Sequence, residues 1–239
     1  MFSETHSDSQ RADRILASIR REESRPGRGL LKIFFGMAPG VGKTYAMLEA
    51  AIQAAGKGVQ VMIGVAESHG REDTMRLIGR LPRLPMKKMA YRGVQMEEFD
   101  LEEALRVKPQ LILVDELAHT NVPGMRHRKR YQDVEDLLAA GIDVYTTLNV
   151  QHLESRSDTV HDITAAPVQE TVPDSVLAEA DCIQLVDITP EQLRTRLQEG
   201  KVYSAPQASA ALNHFSRSPT LRPSGNWPCA SWRRRWTMS

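Results

Sequence analysis

Apolar positions along this chain fall into short dense runs, separated by longer stretches where they recur every three or four residues. These are the signatures of strands and helices respectively. LLKIFF at roughly 30–36, VQVMIGV at 59–65, LILVDEL at 111–117, residues 143–148 and CIQLVDI at 182–188 predict strands, and 86–92 predicts a weaker one. Helices are predicted over 44–55, 71–80, 101–107, 131–140, 174–180 and 190–199, with a further charged, one-faced helix over 9–24. The boundaries carry their own signals. Gly56 and Gly58 close the helix at 44–55, Asp100 caps the one at 101–107 and Pro109 stops it, and Thr189-Pro190 supplies a cap and a first-turn proline for the last. LILV is apolar at every position, as a parallel strand buried on both faces must be. Strands alternating with helices specify an α/β domain on a mostly parallel sheet.

The joint between the first strand and its helix reads GMAPGVGKT, residues 36–44. A glycine-rich turn that opens into a Gly-Lys-Thr helix start is suited to holding phosphates. Unpaired helix N–H groups and a positive dipole end face the turn, and glycines let several N–H groups converge on one anion. The fold class expected is therefore a P-loop NTPase-like three-layer sandwich. Gly36, Pro39, Gly40, Val41, Gly42, Lys43, Thr44 and Tyr45 are the candidate nucleotide-binding residues, with Lys43 reaching the β- and γ-phosphates and the Thr44 hydroxyl on Mg2+. The usual pattern has a glycine five residues before Gly42. Met37 stands there, and Gly36 comes one residue early.

Ligands of open parallel sheets bind beyond the carboxyl ends of the strands. There the strand at 111–117 presents Asp115-Glu116 after four apolar residues. A charge ending a buried strand opposite a phosphate loop calls for a cation, so Asp115 joins Thr44 as a metal-site candidate. Glu116 is placed to polarise an attacking water, with an ordinary acidic strand end as the competing reading. Glu67 closes the strand at 59–65 and is a second catalytic candidate; His69 nearby reads as a surface histidine. Asn149 either orients a water or senses the γ-phosphate, or caps the helix that follows. Four of the five residues 126–130 are Arg or Lys, which reads as a solvated loop or as a source of an arginine that touches phosphate. His119 and Thr120 are placed to couple nucleotide state to that loop.

Composition narrows the classes. Of 31 basic and 30 acidic residues, five arginines and no acidic residue lie beyond residue 203, so the rest of the chain is net −4. A mildly acidic body argues against nucleic acid as partner. No apolar stretch reaches the roughly 20 residues of a membrane helix, and residues 1–14 lack a signal-peptide core. Cys182 and Cys229 are far apart, which suggests a reducing, cytosolic setting; the lack of a long apolar stretch leads to the expectation of no membrane contact by this chain itself. All three tryptophans fall in the last thirteen residues. That segment has no periodicity, which suggests a frameshift near 217–222, with a designed tail or a true basic anchor as the alternative; either way poor order is expected there. The domain reading is an N-terminal arm at 1–28, a P-loop nucleotide-binding domain at 29–203 and a C-terminal helix and atypical tail at 204–239.

GMAPGVGKTYAML, LILVDELAHTN and RYQDVEDLLAAGIDVYTTLNVQHLES, in this order and spacing, closely resemble the N-terminal cytoplasmic domain of the KdpD sensor histidine kinases. The likeness runs from about residue 10 to about 216. It implies a phosphate loop at Gly36 to Thr44 and an Asp-Glu metal-binding strand end at Asp115-Glu116. It also implies a regulatory domain in which ATP with Mg2+ tunes the kinase and phosphatase balance of a sensor controlling potassium uptake. Family members add further cytoplasmic and membrane domains and a kinase core, signal to a response regulator and place this domain in the cytosol. No phospho-acceptor histidine region is visible here, so the chain is not expected to perform the histidine-kinase reaction itself. The competing reading is an autonomous ATPase or small-molecule kinase with Glu116 as base; a nucleic-acid-associated ATPase is disfavoured by the charge.

Overall fold

The computed structural model describes residues 27–91, 93–156, 170–189, 191–192 and 195–196. The arm expected over 9–24, most of the helix expected over 190–199, and the tail lie outside them. In chain order the elements are β1 (Leu31–Gly36), α1 (Lys43–Gly56), β2 (Val61–Val65), α2 (Glu72–Ile78), β3 (Lys87–Tyr91), β4 (Val94–Glu98), α3 (Leu101–Val107), β5 (Leu111–Val114), α4 (Arg130–Ala139), β6 (Asp143–Asn149), a 3-10 turn (Val150–His152), α5 (Asp174–Ala178) and β7 (Cys182–Leu185).

Five strands form one sheet in the order β2-β5-β6-β1-β7, and every pairing in it is parallel. The carboxyl ends of all five therefore lie along one edge. Strand β6 separates the glycine loop after β1 from the acidic pair after β5, with Gly36 opposite Asn149 and Val114 opposite Thr146. The apolar runs split by alternation. Leu31, Ile33, Phe35, Ile112 and Val114 pack on one face with Leu137 and Leu138 of α4, and Phe34, Leu111 and Leu113 pack on the other with Met47, Leu48 and Ala51 of α1. Burying such a side chain contributes about 1.5–3 kcal/mol, so a strand apolar on both faces holds two helix layers at once.

Three expectations change, one of them the last strand, which ends at Leu185 rather than at 188. The strand at 86–92 does not join the parallel sheet: β3 pairs antiparallel with β4 in a separate two-stranded hairpin. Strand β4 left no apolar run because its first four residues, Val94 to Glu97, are exposed. Strand β5 also ends three residues earlier than LILVDEL suggests. Glu116 turns into the left-handed region at φ 57, and Leu117 is buried beyond the turn, its N–H donating to the Thr147 carbonyl at 3.1 Å. The expected caps form: Asp100 accepts from the Glu103 N–H at 3.1 Å, and Thr189 and Gln192 exchange reciprocal hydrogen bonds of 3.0 and 3.2 Å.

Candidate functional site

The loop after β1 is shaped by close approach. A Cβ on Gly36 would lie 2.6 Å from the Val186 carbonyl oxygen and 2.8 Å from a Val41 methyl, so only glycine fits where the chain leaves the sheet. This accounts for the glycine one residue early. Gly42 caps α1 with φ 104, a conformation side-chain-bearing residues resist. Lys43, the first residue of α1, is buried and curls back so that Nζ donates to the Ala38 carbonyl at 3.0 Å. Burial pulls its pKa down to about 8, the Arg71 charge acts in the same direction, and Asp115 opposes both.

Asp115 is the hub of the strand ends and is 1% exposed. Its Oδ2 accepts from the Thr44 hydroxyl at 3.0 Å and the Glu67 N–H at 3.1 Å. Its Oδ1 accepts from the Thr147 hydroxyl and from the Glu116 N–H at 3.1 Å. One carboxylate thus ties together α1, the end of β2, β6 and its own turn. A buried carboxylate is tolerated only with such a set of donors. Beneath it, Arg130 NH1 donates to the Asp115 carbonyl at 3.0 Å, while NH2 meets Glu98 at 3.4 Å. Glu98, equally buried, also accepts from His119 Nε2 at 3.0 Å and the Val122 N–H at 3.1 Å. Burial pushes Glu98 up, but His119 and Arg130 outweigh it and hold the carboxyl below its usual range.

A cavity of about 500 Å³ opens over these groups. Of the nucleotide-site candidates it gathers Pro39, Gly40, Gly42, Lys43, Thr44 and Asn149, together with Asp115 and Glu116; Gly36, Val41 and Tyr45 do not line it. Val41 is buried and packs at Gly36, and Tyr45 points outward, 39% exposed. Glu67 reaches the site through its backbone N–H, its side chain lying off the lining. Glu116 is on the wall, with its carboxylate 3.6 Å from His69 Nε2. Desolvation and the adjacent Asp115 charge raise its pKa, although 44% of the side chain remains exposed at the mouth. Asn149 makes no side-chain cap to the turn that follows, and its buried Oδ1 has no partner.

The lining also includes residues that sequence reasoning missed or set aside: Arg71, Thr147, Gln151, His152 and His69. Thr147 reads in sequence as a strand interior, and only the β5–β6 pairing reveals its hydroxyl between Asp115 and Glu116. The basic run 126–130 is not on the wall. Arg126 pairs with Asp136 at 2.9 Å, Lys129 donates to Thr120 at 2.9 Å, and Arg130 is buried on Glu98. The loop itself is pinned by the Asn121 N–H on the Arg128 carbonyl and the Arg130 N–H on the His119 carbonyl.

Among the described residues no three His, Cys, Asp or Glu side chains form a metal cluster. That suits the chemistry expected of Mg2+, which takes one or two protein oxygens and fills its shell with phosphate and water. The Thr44 hydroxyl donates a hydrogen bond to Asp115 and so keeps oxygen lone pairs for a cation, and the buried Asn149 Oδ1 has no partner. These residues fit a nucleotide with Mg2+.

A glycine loop, a Lys-Thr helix start and a buried acidic strand end on a parallel sheet define an α/β domain of the P-loop NTPase-like kind. The chain belongs to the KdpD family, described as the osmosensitive K+ channel His kinase sensor domain, whose sequence model matches residues 27–223. It is 53% identical over 209 residues to the sensor protein KdpD of Escherichia coli (strain K12), covering 87% of this chain and 23% of that protein. It is 52% identical over 201 residues to the sensor protein KdpD of Clostridium acetobutylicum, covering 84% of this chain and 22% of the relative. The counterpart in Mycobacterium tuberculosis (strain H37Rv) is 48% identical over 194 residues, or 81% of this chain and 23% of the relative. The chain therefore spans less than a quarter of the length of these three relatives. No helix among the described residues is long and apolar enough to cross a membrane.

Proposed function

We propose that this chain is an ATP-binding regulatory input domain of a two-component sensor histidine kinase that controls potassium-uptake genes. In this reading the domain takes ATP with Mg2+, and its occupancy tunes the kinase and phosphatase balance through other cytoplasmic domains of a longer, membrane-anchored protein that signals to a response regulator. The observation that carries the reading is the Thr44 hydroxyl on the Asp115 carboxylate at 3.0 Å, in one cavity with Lys43. Loop N–H groups and the Lys43 ammonium hold phosphate oxygens; Thr44 and Asp115 hold the cation, which supplies charge neutralisation when bound. Asp115 has donors on both oxygens already, so its position is set before any ligand arrives.

A second reading, an autonomous ATPase or small-molecule kinase with Glu116 as base, is favoured by one observation. Glu116 keeps a left-handed backbone on the cavity wall, and its carboxyl is raised toward the range of a working base. Titration of the purified chain with ATP, ADP and GTP, with and without Mg2+, tests the first reading. Mg2+-dependent ATP binding that Lys43→Ala abolishes, with very slow phosphate release, is the expected result. Rapid turnover that Glu116→Gln removes while binding persists gives the second reading instead.

A further inference from the structure

Sheet order decides which phosphate each cationic side chain can meet. Lys43 rises from the start of α1, above β1 and β6. Arg71 comes from the opposite side, from the turn after β2, beyond the strand that carries Asp115. The two ends are fastened together, since Val65 pairs with Val114 and the Glu67 N–H bonds Asp115 Oδ2 at 3.1 Å. A polyphosphate that starts in the glycine loop and runs toward Asp115 presents its outermost group to the β2 side.

The turn that carries Arg71 is specifically built. The Arg71 N–H donates to the Ser68 carbonyl at 3.0 Å across His69 and Gly70, both of positive φ at 49° and 75°. A histidine in the left-handed region costs about 1 kcal/mol. That pair, of which only His69 is strained, turns the chain so that His69 and Arg71 both line the cavity, His69 against Glu116. Among the described residues Arg71 is the only arginine on the wall. Arg126 (paired with Asp136), Arg130 (on Glu98 and the Asp115 carbonyl) and Arg196 (on the Gly40 and Val41 carbonyls at 3.3 Å) do not line it. Two cations, Lys43 and Arg71, thus line one cavity from elements on either side of the Asp115 strand. A guanidinium presents a planar fork that matches two oxygens of a phosphate.

We propose that Arg71 reads the terminal phosphate and makes the site selective for a nucleoside triphosphate over the diphosphate. The proposal rests on the nucleotide reading of the cavity and assigns it a discriminating residue. Inner phosphates belong to the loop and Lys43, which a diphosphate also satisfies; only the triphosphate extends to the β2 side.

The test is a titration of the purified 239-residue chain with ATP and with ADP in Mg2+, for the wild type, Arg71→Ala, Arg71→Lys and Lys43→Ala. A charge-assisted hydrogen bond is worth enough that Arg71→Ala should weaken ATP about tenfold or more, and ADP by less than about twofold. Arg71→Lys keeps the charge but loses the fork, so it should fall between wild type and Arg71→Ala for ATP alone. It also carries the test if the alanine variant does not fold, as judged by circular dichroism and melting. Lys43→Ala should weaken both nucleotides. Equal losses for ATP and ADP in the Arg71 variants, or none, overturn the role of Arg71 while leaving the nucleotide site standing. A wild type that binds neither nucleotide overturns the site and this role together.

Discussion

Arg130 supports Asp115 from below: its NH1 donates to the Asp115 main-chain carbonyl at 3.0 Å, while its NH2 meets the buried Glu98 carboxylate. A residue that reads in sequence as the end of a solvated basic run is therefore a strut under the acidic strand end. Arg130→Met would leave Glu98 buried with only His119 and the Val122 N–H. Removing one partner of a buried ion pair costs about 3–5 kcal/mol, so urea unfolding should show a loss of that size. The double variant Glu98→Gln, Arg130→Met should recover part of it, because the stranded charge is gone.

Thr147→Val tests the hydroxyl that links Asp115 to the turn. The substitution preserves shape in a site 4% exposed and removes the donor to Asp115 Oδ1 and the acceptor for the Glu116 N–H at 3.2 Å. Asp115 and Glu116 keep their own 3.1 Å contact, which limits the damage. A stability loss of about 1–3 kcal/mol is expected in denaturant unfolding.

Asp133 sets a pH dependence. Burial raises its pKa to about 6, against the 2.7 Å hydrogen bond from Asn121 Nδ2 that lowers it. The folded state thus holds this proton more tightly than the unfolded chain does. Its contribution is fully present below about pH 4 and is lost as pH rises through 6; at 1.36 kcal/mol per pKa unit the loss is on the order of 3 kcal/mol. Asp133→Asn keeps an oxygen for Asn121 and removes the titration. The stability of the variant relative to the parent should therefore grow between about pH 4 and 6 and level off above, as read by urea unfolding at each pH.

Gly36→Ala adds a methyl that meets the Val186 carbonyl at 2.6 Å. Backbone must move at the root of the loop, and overpacking of this kind costs about 1–3 kcal/mol. Thermal melting should show the loss, whereas Gly56→Ala, whose added methyl meets nothing within 4 Å, should change the melting temperature little.

Strands β1, β2, β5 and β6 were legible because each is buried enough to demand a dense apolar run; β7 kept an apolar pattern although three of its four residues are exposed. The β3–β4 hairpin was only half legible. Val94 and Met96 are 61% and 40% exposed, so nothing in their pattern had to mark a strand. LILVDEL overstated β5 because Leu117 is buried by the turn at Glu116, and burial alone does not distinguish a strand from a turn that folds inward. The glycine loop and Asp115-Glu116 are contiguous motifs and could be read directly. Arg71, Thr147 and His152 reach the cavity only through strand order, which one-dimensional spacing does not encode. Residues 126–130 were legible in part: Arg126 and Arg128 are exposed as a solvated run requires, but the buried Glu98 that holds Arg130 could not be seen from spacing.

Strand β6 also acts as a ruler. Because it lies between β1 and β5, the loop and the Asp115 strand stand two interstrand spacings apart, about 10 Å. That span is held by backbone hydrogen bonds and is indifferent to side chains. Substitutions that leave the backbone of β1, β5 and β6 in place alter what the two jaws grip, but not the gauge at which they are set.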